Sequence, residues 1–410
     1  MFKIGILREE KVPSDARVAL NPKQCKSIQE QYAGQVEIIV QPSTVRCISD
    51  AEYAAEGIVV QEDLSACDIL LGIKEVPIDK LIPNKTYYFF SHTTKKQAHN
   101  RKLLQAILSK NITLVDYERL TNSDNVRVIA FGRWAGIVGA HNGMMAYGKR
   151  TGAFDLPQMH NFRTFADAVA YYKTLQLPNM RIVVTGTGRV SSGVQAVLES
   201  MGVRFVTPHV YLTQALEGAV YTQLNSQSYV QHKEKGSAFD IQDFYKNPEN
   251  YESIFEPYTK CTDLLINGIF WDKRAPVFFT REDMMKEDFA IQTIADITCD
   301  IAPESSIPST LYASTIAEPV FGYDPKTNEA VAPYQSDVVD VMSIDNLPSE
   351  LPIDASGAFG EQFIKSVLPE IVQDNDNNNM IRRATVTKNG QLTAEYEYLQ
   401  DYVNAIDSVN

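Results

Sequence analysis

The sequence lacks any apolar run long enough to cross a membrane. A bilayer-spanning helix needs roughly 18 or more consecutive apolar residues, and none occurs in these 410 residues. The first residues, MFKIGILREEKVPSDAR, carry charges where a secretory signal would need an apolar stretch. We therefore expect a cytoplasmic protein that does not act at a membrane.

Cysteine is scarce and scattered, which bears on redox and metal chemistry. The five cysteines, Cys25, Cys47, Cys67, Cys261 and Cys299, form no CxxC pair and stand beside no histidine-rich spacing. Disulfide frameworks and zinc sites both depend on such paired spacings. We expect small core residues at these positions, and neither a disulfide framework nor a metal site.

Positive charge is also in short supply. There are 38 lysines and arginines against 51 aspartates and glutamates, a formal net charge of -13. A phosphate backbone would be repelled without a concentrated basic face, and no basic run is visible. Nucleic acid is therefore not an expected partner, and anionic small-molecule substrates would need a few cations gathered locally.

The chain does have a regular alternation of β-rich and helical patterns. The apolar runs FKIGIL, EIIV, CDILLGI, TYYFFS and ITLVDY are separated by helical stretches in the first 130 residues, and a second α/β series begins at RIVVT (181–185). Asn21 and Pro22 predict a helix start, and Gly34 its end. The predicted fold class is α/β, with two Rossmann-like parallel-sheet domains separated by a cleft.

Two crossovers divide the predicted domains. The small-residue-rich stretch GRWAGIVGAHNGMMAYGK (132–149) predicts a long helix at the first. We predict a substrate-binding domain over 1–131, completed by 347–410, and a dinucleotide-binding domain over 132–346. The polar segment 208–260 predicts an insertion beside the second domain. DNDNNN (374–379) predicts a polar loop, and Asn389-Gly390 predicts a hairpin that returns to the first domain.

A glycine-rich loop follows the strand RIVVT. Gly186 and Gly188 open a helix there, with Ser191 at the usual third glycine position and Gly193 two residues further. Such a loop brings backbone N–H groups against a pyrophosphate. A tight turn without a ligand is the alternative, but strand, glycines and helix together favour a nicotinamide dinucleotide.

The sequence favours NADP(H) as the cofactor, with NAD(H) as the alternative. The predicted second strand, VRFVT (203–207), ends without the acid that usually holds a ribose 2′-hydroxyl. Arg189, Arg204 and His209 are candidate partners for a 2′-phosphate. Ordinary solvated side chains are the alternative for each.

Titratable residues follow the predicted strands of the first domain. Lys74 comes directly after CDILLGI and His92 after TYYFFS, where parallel strands deliver side chains to a cleft. Glu75 and Glu118 lie nearby and could tune proton affinities. The loop EEKVPSDAR adds Lys11 and Arg17, which suit carboxylate recognition. Surface ion pairing is the alternative for any of them taken singly.

Together these motifs resemble one family, the lysine-forming saccharopine dehydrogenases, and in particular the lysine–ketoglutarate reductase half of bifunctional lysine-degrading enzymes. The resemblance covers nearly the whole chain and includes GIKEVP, FFSHTTKKQ, AFGRWAG, VTGTGRVSSGVQ, FWDKRAP, DITCDI and SIDNLP. It implies an oxidoreductase that interconverts lysine plus 2-oxoglutarate and saccharopine by imine formation and hydride transfer. The length accommodates only the reductase unit of the fused enzymes.

The resemblance also implies roles for individual residues. It implies that Lys74 and His92 carry out acid–base chemistry, that Glu75 and Glu118 set their protonation, and that Arg17 and Lys95 lie near the substrate, with Asp345 close to the nicotinamide. Two alternatives remain: an alanine dehydrogenase-like amino-acid dehydrogenase, and a catalytically silent nucleotide-binding sensor. Sequence leaves the oligomeric state open, a homo-oligomer included.

Overall fold

The computed structural model describes residues 2–373 and 379–405 and divides into two compact units. Unit 1 contains residues 1–131 and 352–410, and unit 2 contains residues 132–351. The return crossover thus lies at 351/352, whereas the sequence prediction placed it at 346/347. Most of the predicted polar loop at 374–379 lies outside the described residues.

The described residues contain eighteen strands. In chain order they are β1 (Phe2–Ile6), β2 (Val36–Val40), β3 (Val59–Val60), β4 (Ile69–Leu71), β5 (Thr86–Phe89), β6 (Thr113–Asp116), β7 (Met180–Thr185), β8 (Arg204–Phe205), β9 (Ala219–Leu224), β10 (Val230–His232), β11 (Tyr251–Ser253), β12 (Leu264–Asn267), β13 (Thr293–Asp296), β14 (Val320–Asp324), β15 (Glu329–Val331), β16 (Val339–Met342), β17 (Thr385–Lys388) and β18 (Gln391–Leu392).

The same residues form fifteen α-helices. They are α1 (Pro22–Gln31), α2 (Asp50–Ala55), α3 (Arg101–Ser109), α4 (Gly132–Thr151), α5 (Phe165–Tyr172), α6 (Arg189–Ser200), α7 (Pro208–Thr213), α8 (Ser226–Tyr229), α9 (Ile241–Lys246), α10 (Glu256–Thr259), α11 (Arg281–Met284), α12 (Pro352–Ser366), α13 (Leu368–Val372), α14 (Met380–Ala384) and α15 (Gln400–Asn404). Within this described part, no helix combines the length and apolarity that a membrane crossing needs.

Unit 1 is built on one eight-stranded sheet in the order β18-β17-β6-β5-β4-β1-β2-β3. The strands β1 to β6 pair in parallel. The predicted C-terminal hairpin is confirmed, since β17 and β18 pair antiparallel around Asn389-Gly390 and β17 extends the sheet beside β6. Both faces are covered, which suits the apolar runs that form the strands.

Local signals explain the first helix of unit 1. Asn21 accepts a hydrogen bond from the Gln24 backbone N–H, the Gln24 side chain accepts one from the Asn21 backbone, and Pro22 occupies the first turn. This reciprocal capping satisfies two donors that a helix start leaves open. The helix ends at Gln31, three residues before the predicted Gly34, which adopts φ +74° in the following turn.

Unit 2 has a second eight-stranded sheet in the order β15-β14-β16-β13-β12-β7-β9-β8. Six neighbouring strands pair in parallel: β16, β13, β12, β7, β9 and β8. The hairpin β14–β15 pairs antiparallel with β16 at the other edge. The predicted class of two mostly parallel α/β domains is therefore confirmed. Helix α4 packs on α6 because Gly136 and Gly193 lack a Cβ at the crossing.

The expectation for residues 208–260 was wrong in one respect. These residues are not simply an insertion, because β9 (AVYTQL) lies in the body of the sheet between β7 and β8. Because this stretch contains Tyr, Thr and Gln, its sequence did not predict a buried strand, although the strand is largely buried. The rest of the segment forms short helices and the two-stranded ribbon β10–β11.

Candidate functional site

Four segments of unit 1 carry polar side chains to one edge of its sheet. They follow β1, β4, β5 and β6, which are neighbours in the parallel part of the sheet. Because parallel neighbours end at the same edge, the residues after these strands gather there. The residues that sequence analysis singled out in unit 1 all belong to these segments or to the loops that continue them.

Glu75 joins two of the predicted residues. Its Oε1 lies 2.6 Å from His92 Nδ1, and its Oε2 lies 2.7 Å from Lys11 Nζ. The Glu75 side chain is 12% exposed. Burial works to raise the pKa of Glu75, but the hydrogen bonds from His92 and Lys11 outweigh it and lower that pKa to about 2. Glu75 is therefore an anion throughout the neutral range.

Lys74 lies beside this ion-paired cluster with a lowered pKa. Burial lowers the pKa of its ammonium, and the positive charges of Arg17 and Lys11 lower it further, against the opposing effect of Asp15 and Glu75. Across the part of the chain that the structure describes, the Lys74 ammonium makes no hydrogen bond or ion pair. Its backbone N–H instead donates to Glu9 Oε2 at 2.9 Å.

His92 has a backbone conformation that few residues adopt. It takes φ +52° immediately before the 3₁₀ turn Thr93–Lys95, and Lys96 after the turn takes φ +56°. Left-handed conformations of this kind cost free energy for residues other than glycine and tend to occur where function requires them. The turn holds His92 against Glu75 and directs Lys95 to a different acid.

Lys95 and Glu118 form a second pair at the same edge. Lys95 Nζ lies 3.2 Å from Glu118 Oε1, and Arg127 contacts that oxygen at 2.7 Å. Burial works to raise the pKa of Glu118, but the charges of Lys95 and Arg127 outweigh it and lower that pKa. Glu118 Oε2 is buried, and it has no hydrogen-bond partner among the described residues.

Arg17 lies in a buried ion pair. Its Nε and one terminal nitrogen donate to the two oxygens of Asp15 at 2.9 and 2.5 Å, and both side chains are 2% exposed. The guanidinium also lies 4.4 Å from the centre of the Phe131 ring. Sequence analysis did not single out Asp15 or Glu9, because only the folded loop brings these two acids to Arg17 and Lys74.

The glycine loop of unit 2 follows β7. Gly186 takes φ +93°, and Gly188 is the N-cap of α6, with open space where its Cβ would be. Arg189 begins the helix. Ser191 is buried and donates from Oγ to the Thr185 carbonyl at 3.2 Å, while Gly193 faces the backbone of α4 at Arg133. Gly186 and Gly188 thus shape the loop, whereas Ser191 and Gly193 pack the helix behind it.

A cavity of about 540 Å³ opens at this loop. Its lining combines the glycine loop, the residues after β9 and β12, and aromatic side chains: Gly186, Thr187, Gly188, Asn225, Ser226, Tyr229, Phe244, Tyr245, Phe270 and Trp271 among others. Tyr245 is 64% exposed and Phe270 is 96% exposed. Pockets of this size and apolar character are typical of cofactor sites. The loop conformation and the cavity both fit a dinucleotide.

The strand next to the glycine strand is β9, not the VRFVT stretch on which the cofactor prediction was based. Gly186 N–H donates to the Leu224 carbonyl, and Gln223 donates to the Gly186 carbonyl. β9 is followed by Asn225 and Ser226, which are neutral. Arg204, on the outer strand β8, donates to the Glu217 carbonyl, and His209 belongs to α7. Neither residue is among those that line the cavity.

A buried polar network connects the strand ends beneath the cavity. Asn267 accepts from Thr185 Oγ1 at 2.7 Å and donates to Asp296 Oδ1 at 3.0 Å, and Thr310 donates to Asp296 Oδ2 at 2.6 Å. Burial raises the pKa of Asp296 to about 6, although its hydrogen bonds oppose the change. The predicted residue Asp345 follows β16 and is exposed. The motif DITCDI begins at Asp296, but its sequence alone indicated no role for that residue.

All five cysteines are free thiols, and Cys25 and Cys67 are buried. Within residues 2–373 and 379–405, no three side chains of histidine, cysteine, aspartate or glutamate are grouped so that they could hold a metal ion.

Comparisons with known proteins agree with the motifs. The alanine dehydrogenase/PNT N-terminal domain family matches residues 5–138. Mitochondrial alpha-aminoadipic semialdehyde synthase of Mus musculus is 33% identical over 447 residues, which cover 97% of this chain and 47% of the mouse protein. The synthase of Arabidopsis thaliana is 31% identical, with 97% and 41% covered. The chain spans about half the length of these curated relatives or less.

A shorter relative matches over most of both chains. Saccharopine dehydrogenase [NAD(+), L-lysine-forming] of Yarrowia lipolytica is 26% identical over 386 residues, which cover 88% of this chain and 90% of the yeast enzyme.

Among solved structures, an L-alanine dehydrogenase superposes with a TM-score of 0.62 at 14% identity, covering 98% of this chain and 99% of that one. A transhydrogenase from Sinorhizobium meliloti gives 0.61 at 15% identity, with 95% and 100% covered. At these identities the superpositions establish the fold alone. The chain is thus similar in sequence to a lysine-forming saccharopine dehydrogenase, as its motifs predict, and its fold is like that of L-alanine dehydrogenase.

Proposed function

We propose that this protein interconverts lysine plus 2-oxoglutarate and saccharopine with a nicotinamide cofactor. The observation that carries the proposal is the cluster in unit 1, where Glu75 pairs with His92 and Lys11 beside a Lys74 whose pKa is lowered. The similarity to lysine-forming saccharopine dehydrogenases supports the choice of substrates.

The cluster fits the two proton transfers that the reaction needs. Attack of the neutral lysine ε-amine on the keto carbon forms the new C–N bond, and the proton released from nitrogen must pass to a base. A lysine with a lowered pKa is more often neutral, so Lys74 can accept that proton. Loss of the hydroxyl as water then needs an acid, and we assign this to His92, which Glu75 holds through Nδ1.

Charge placement suits the substrates as well. 2-Oxoglutarate brings two carboxylates, and Lys11, Lys95 and Arg17 are cations at this edge of the sheet. Each of them already has a carboxylate partner, Glu75, Glu118 and Asp15 respectively. We propose that these acids hold the cations in place, so that the substrate meets a preformed cationic edge in a chain of net charge -13.

We assign cofactor binding to unit 2. Gly186 and Gly188 would receive the pyrophosphate and Arg189 the adjoining phosphate charge, while Tyr229, Tyr245 and Phe270 line a wall on which an adenine ring can stack. Asp345 is the proposed acid near the nicotinamide. A reduced nicotinamide, when bound, supplies the hydride that converts the protonated imine left by the loss of water to a secondary amine.

We propose NADP(H) as the preferred cofactor. Neither β8 nor β9 is followed by an aspartate or glutamate, since Asn225 and Ser226 come after β9 and Val206 and Thr207 after β8. A carboxylate at that point would repel a 2′-phosphate, so its absence favours the phosphorylated cofactor. The name of the Yarrowia lipolytica relative specifies NAD(+), so both cofactors belong in the assay.

The test is the loss of NADPH and NADH absorbance with lysine and 2-oxoglutarate supplied together and separately. We expect oxidation only when both substrates are present, and faster oxidation of NADPH. Ammonia with pyruvate is the matched alternative pair, because the fold is that of an alanine dehydrogenase. Turnover with that pair alone would replace our proposal, and dinucleotide binding without any turnover would favour a sensor.

A further inference from the structure

Glu9 contacts the segment that carries Lys74 through an unusual pair of hydrogen bonds. Its Oε1 accepts from the backbone N–H of Ile73 at 2.6 Å, and its Oε2 accepts from the backbone N–H of Lys74 at 2.9 Å. One carboxylate therefore satisfies two consecutive backbone donors. No sequence motif marks Glu9, which stands in the loop after β1.

The contact continues the sheet beyond its last strand pair. β1 and β4 pair in parallel up to Ile6 and Leu71, and Leu7 N–H still donates to the Leu71 carbonyl at 2.9 Å. Past that point β1 and β4 no longer pair. The Glu9 side chain then accepts the hydrogen bonds of the backbone N–H groups that follow β4. On the β5 side, Phe90 N–H still donates to the Ile73 carbonyl at 3.0 Å, so it is on the β1 side that the position of Lys74 depends on a side chain.

The surroundings of Glu9 oppose its negative charge. Burial raises the pKa of Glu9 to about 7, and Asp15 adds to the effect, while the two backbone donors and Arg17 work to lower it. Tyr117 is a further titratable neighbour, fully buried, and Lys74 itself carries the donated N–H. Glu9 therefore changes charge in the neutral range, unlike Glu75.

We propose that Glu9 is a positioning residue for Lys74, and that its ionised form holds Lys74 in place while its protonated form releases part of that hold. A carboxylate accepts from both N–H groups at once, through hydrogen bonds that its charge strengthens. A carboxylic acid keeps one good acceptor and turns its other oxygen into a donor, which faces a backbone N–H. The hold is complete well above pH 7 and weakens as pH falls through about 7.

The same ionisation has the opposite effect on folding stability. The pKa of Glu9 in the folded chain, about 7, lies above the ordinary 4.5. Its contribution to stability is therefore complete below 4.5 and is lost as pH rises through about 7. Ionisation of Glu9 thus places Lys74 at the expense of stability, which is the behaviour expected of a functional group rather than of a core residue.

The direct test observes the two amides in the full chain. With isoleucine and lysine labelled by ¹⁵N, we expect the Ile73 and Lys74 amide resonances to titrate together with one midpoint near 7. In Glu9→Gln both should be independent of pH. The matched control is Glu10→Gln, because Glu10 pairs with Arg8 instead, and it should titrate like the unaltered protein. Amides that do not move, or that still titrate in Glu9→Gln, would overturn the proposal.

A kinetic test examines the consequence, and it rests on the proposed function. We expect Glu9→Gln to lower kcat by about tenfold or more through misplacement of Lys74 and to leave the KM for the dinucleotide within about twofold of its original value. The fall in kcat below pH 7 should disappear. An unchanged kcat and pH profile in Glu9→Gln would show that Glu9 does not affect catalysis. If the unaltered protein had no turnover at all, that would count against the proposed function, and the resonance test of Glu9 would still apply.

Discussion

Lys74 and His92 differ in how the protein prepares them. Burial and the charges of Arg17 and Lys11 lower the pKa of Lys74, whereas His92 is fixed by a 2.6 Å contact with Glu75 and by its left-handed backbone. Sequence analysis predicted both residues from their positions after apolar strands. It could not supply the contacts, because they come from loops that lie as many as 65 residues apart in the chain.

We expect Lys74→Met combined with His92→Gln to lower turnover by about 10²-fold or more, the usual contribution of acid–base groups. Dinucleotide affinity should be unchanged, because the glycine loop belongs to unit 2. Initial rates and a dinucleotide binding titration check the two statements. Lys26→Met, which removes a half-exposed lysine paired with Glu56, is the control. Near-normal turnover in the double variant would reject the assigned roles.

Glu75 gives a prediction that does not depend on activity. Its pKa in the folded chain, about 2, lies below the ordinary 4.5, so its ionised form contributes stability above 4.5, and that contribution is lost as pH falls towards 2. We therefore expect Glu75→Gln to be less stable than the unaltered protein at pH 6, with a difference that shrinks on acidification. Urea unfolding at several pH values measures it, and a difference that stays constant with pH would contradict the ion-pair account.

At the scale of elements, the two roles of glycine near α6 can be separated. A Cβ at Gly193 would overlap the Arg133 carbonyl of α4, whereas a Cβ at Gly188 would meet open space. We expect Gly193→Ala to lower the free energy of unfolding by about 1–3 kcal/mol through overpacking. Gly188→Ala should leave stability nearly unchanged and weaken dinucleotide binding, because the backbone could no longer approach the pyrophosphate. Equal losses of stability would contradict this division.

The cavity wall gives a second prediction at this scale. Tyr245 of α9 and Phe270 after β12 are large aromatic side chains exposed at the cavity. We expect Tyr245→Ala and Phe270→Ala to weaken dinucleotide binding by about 1–3 kcal/mol if the adenine stacks there, without loss of stability. Phe205→Ala is the control, since Phe205 is an exposed aromatic outside the cavity. If Tyr245→Ala and Phe270→Ala bound the dinucleotide as tightly as the control Phe205→Ala, the stacking role would be excluded.

Elements marked by local signals were predictable, and elements defined by distant partners were not. The capped start of α1, the glycine loop and the hairpin at Asn389-Gly390 all depend on residues close together in sequence. β9 was missed because AVYTQL lacks the apolar run of a buried strand, and its place beside β7 left the cofactor argument based on the wrong strand. Asp296 and Glu9 were also not predicted, because only the fold brings them to their hydrogen-bond partners.

At the scale of the whole molecule, unit 2 is continuous in sequence and unit 1 is not. We expect residues 132–351, expressed alone, to unfold cooperatively and to bind dinucleotide. Residues 1–131 alone should not fold, because β6 would lose β17 and the core would lose Phe359 and Phe363 of α12. Circular dichroism during urea unfolding checks both fragments. A stable, cooperative fragment 1–131 would show that the C-terminal segment is not needed for that core.

The late return of the chain to unit 1 also bears on how the protein is made. Translation proceeds from the N-terminal side, so the six strands β1 to β6 leave the ribosome before unit 2 is synthesised. The strand that completes their sheet, β17, emerges only after unit 2. During that interval β6 is an open edge on the nascent chain, where a chaperone would be of most use.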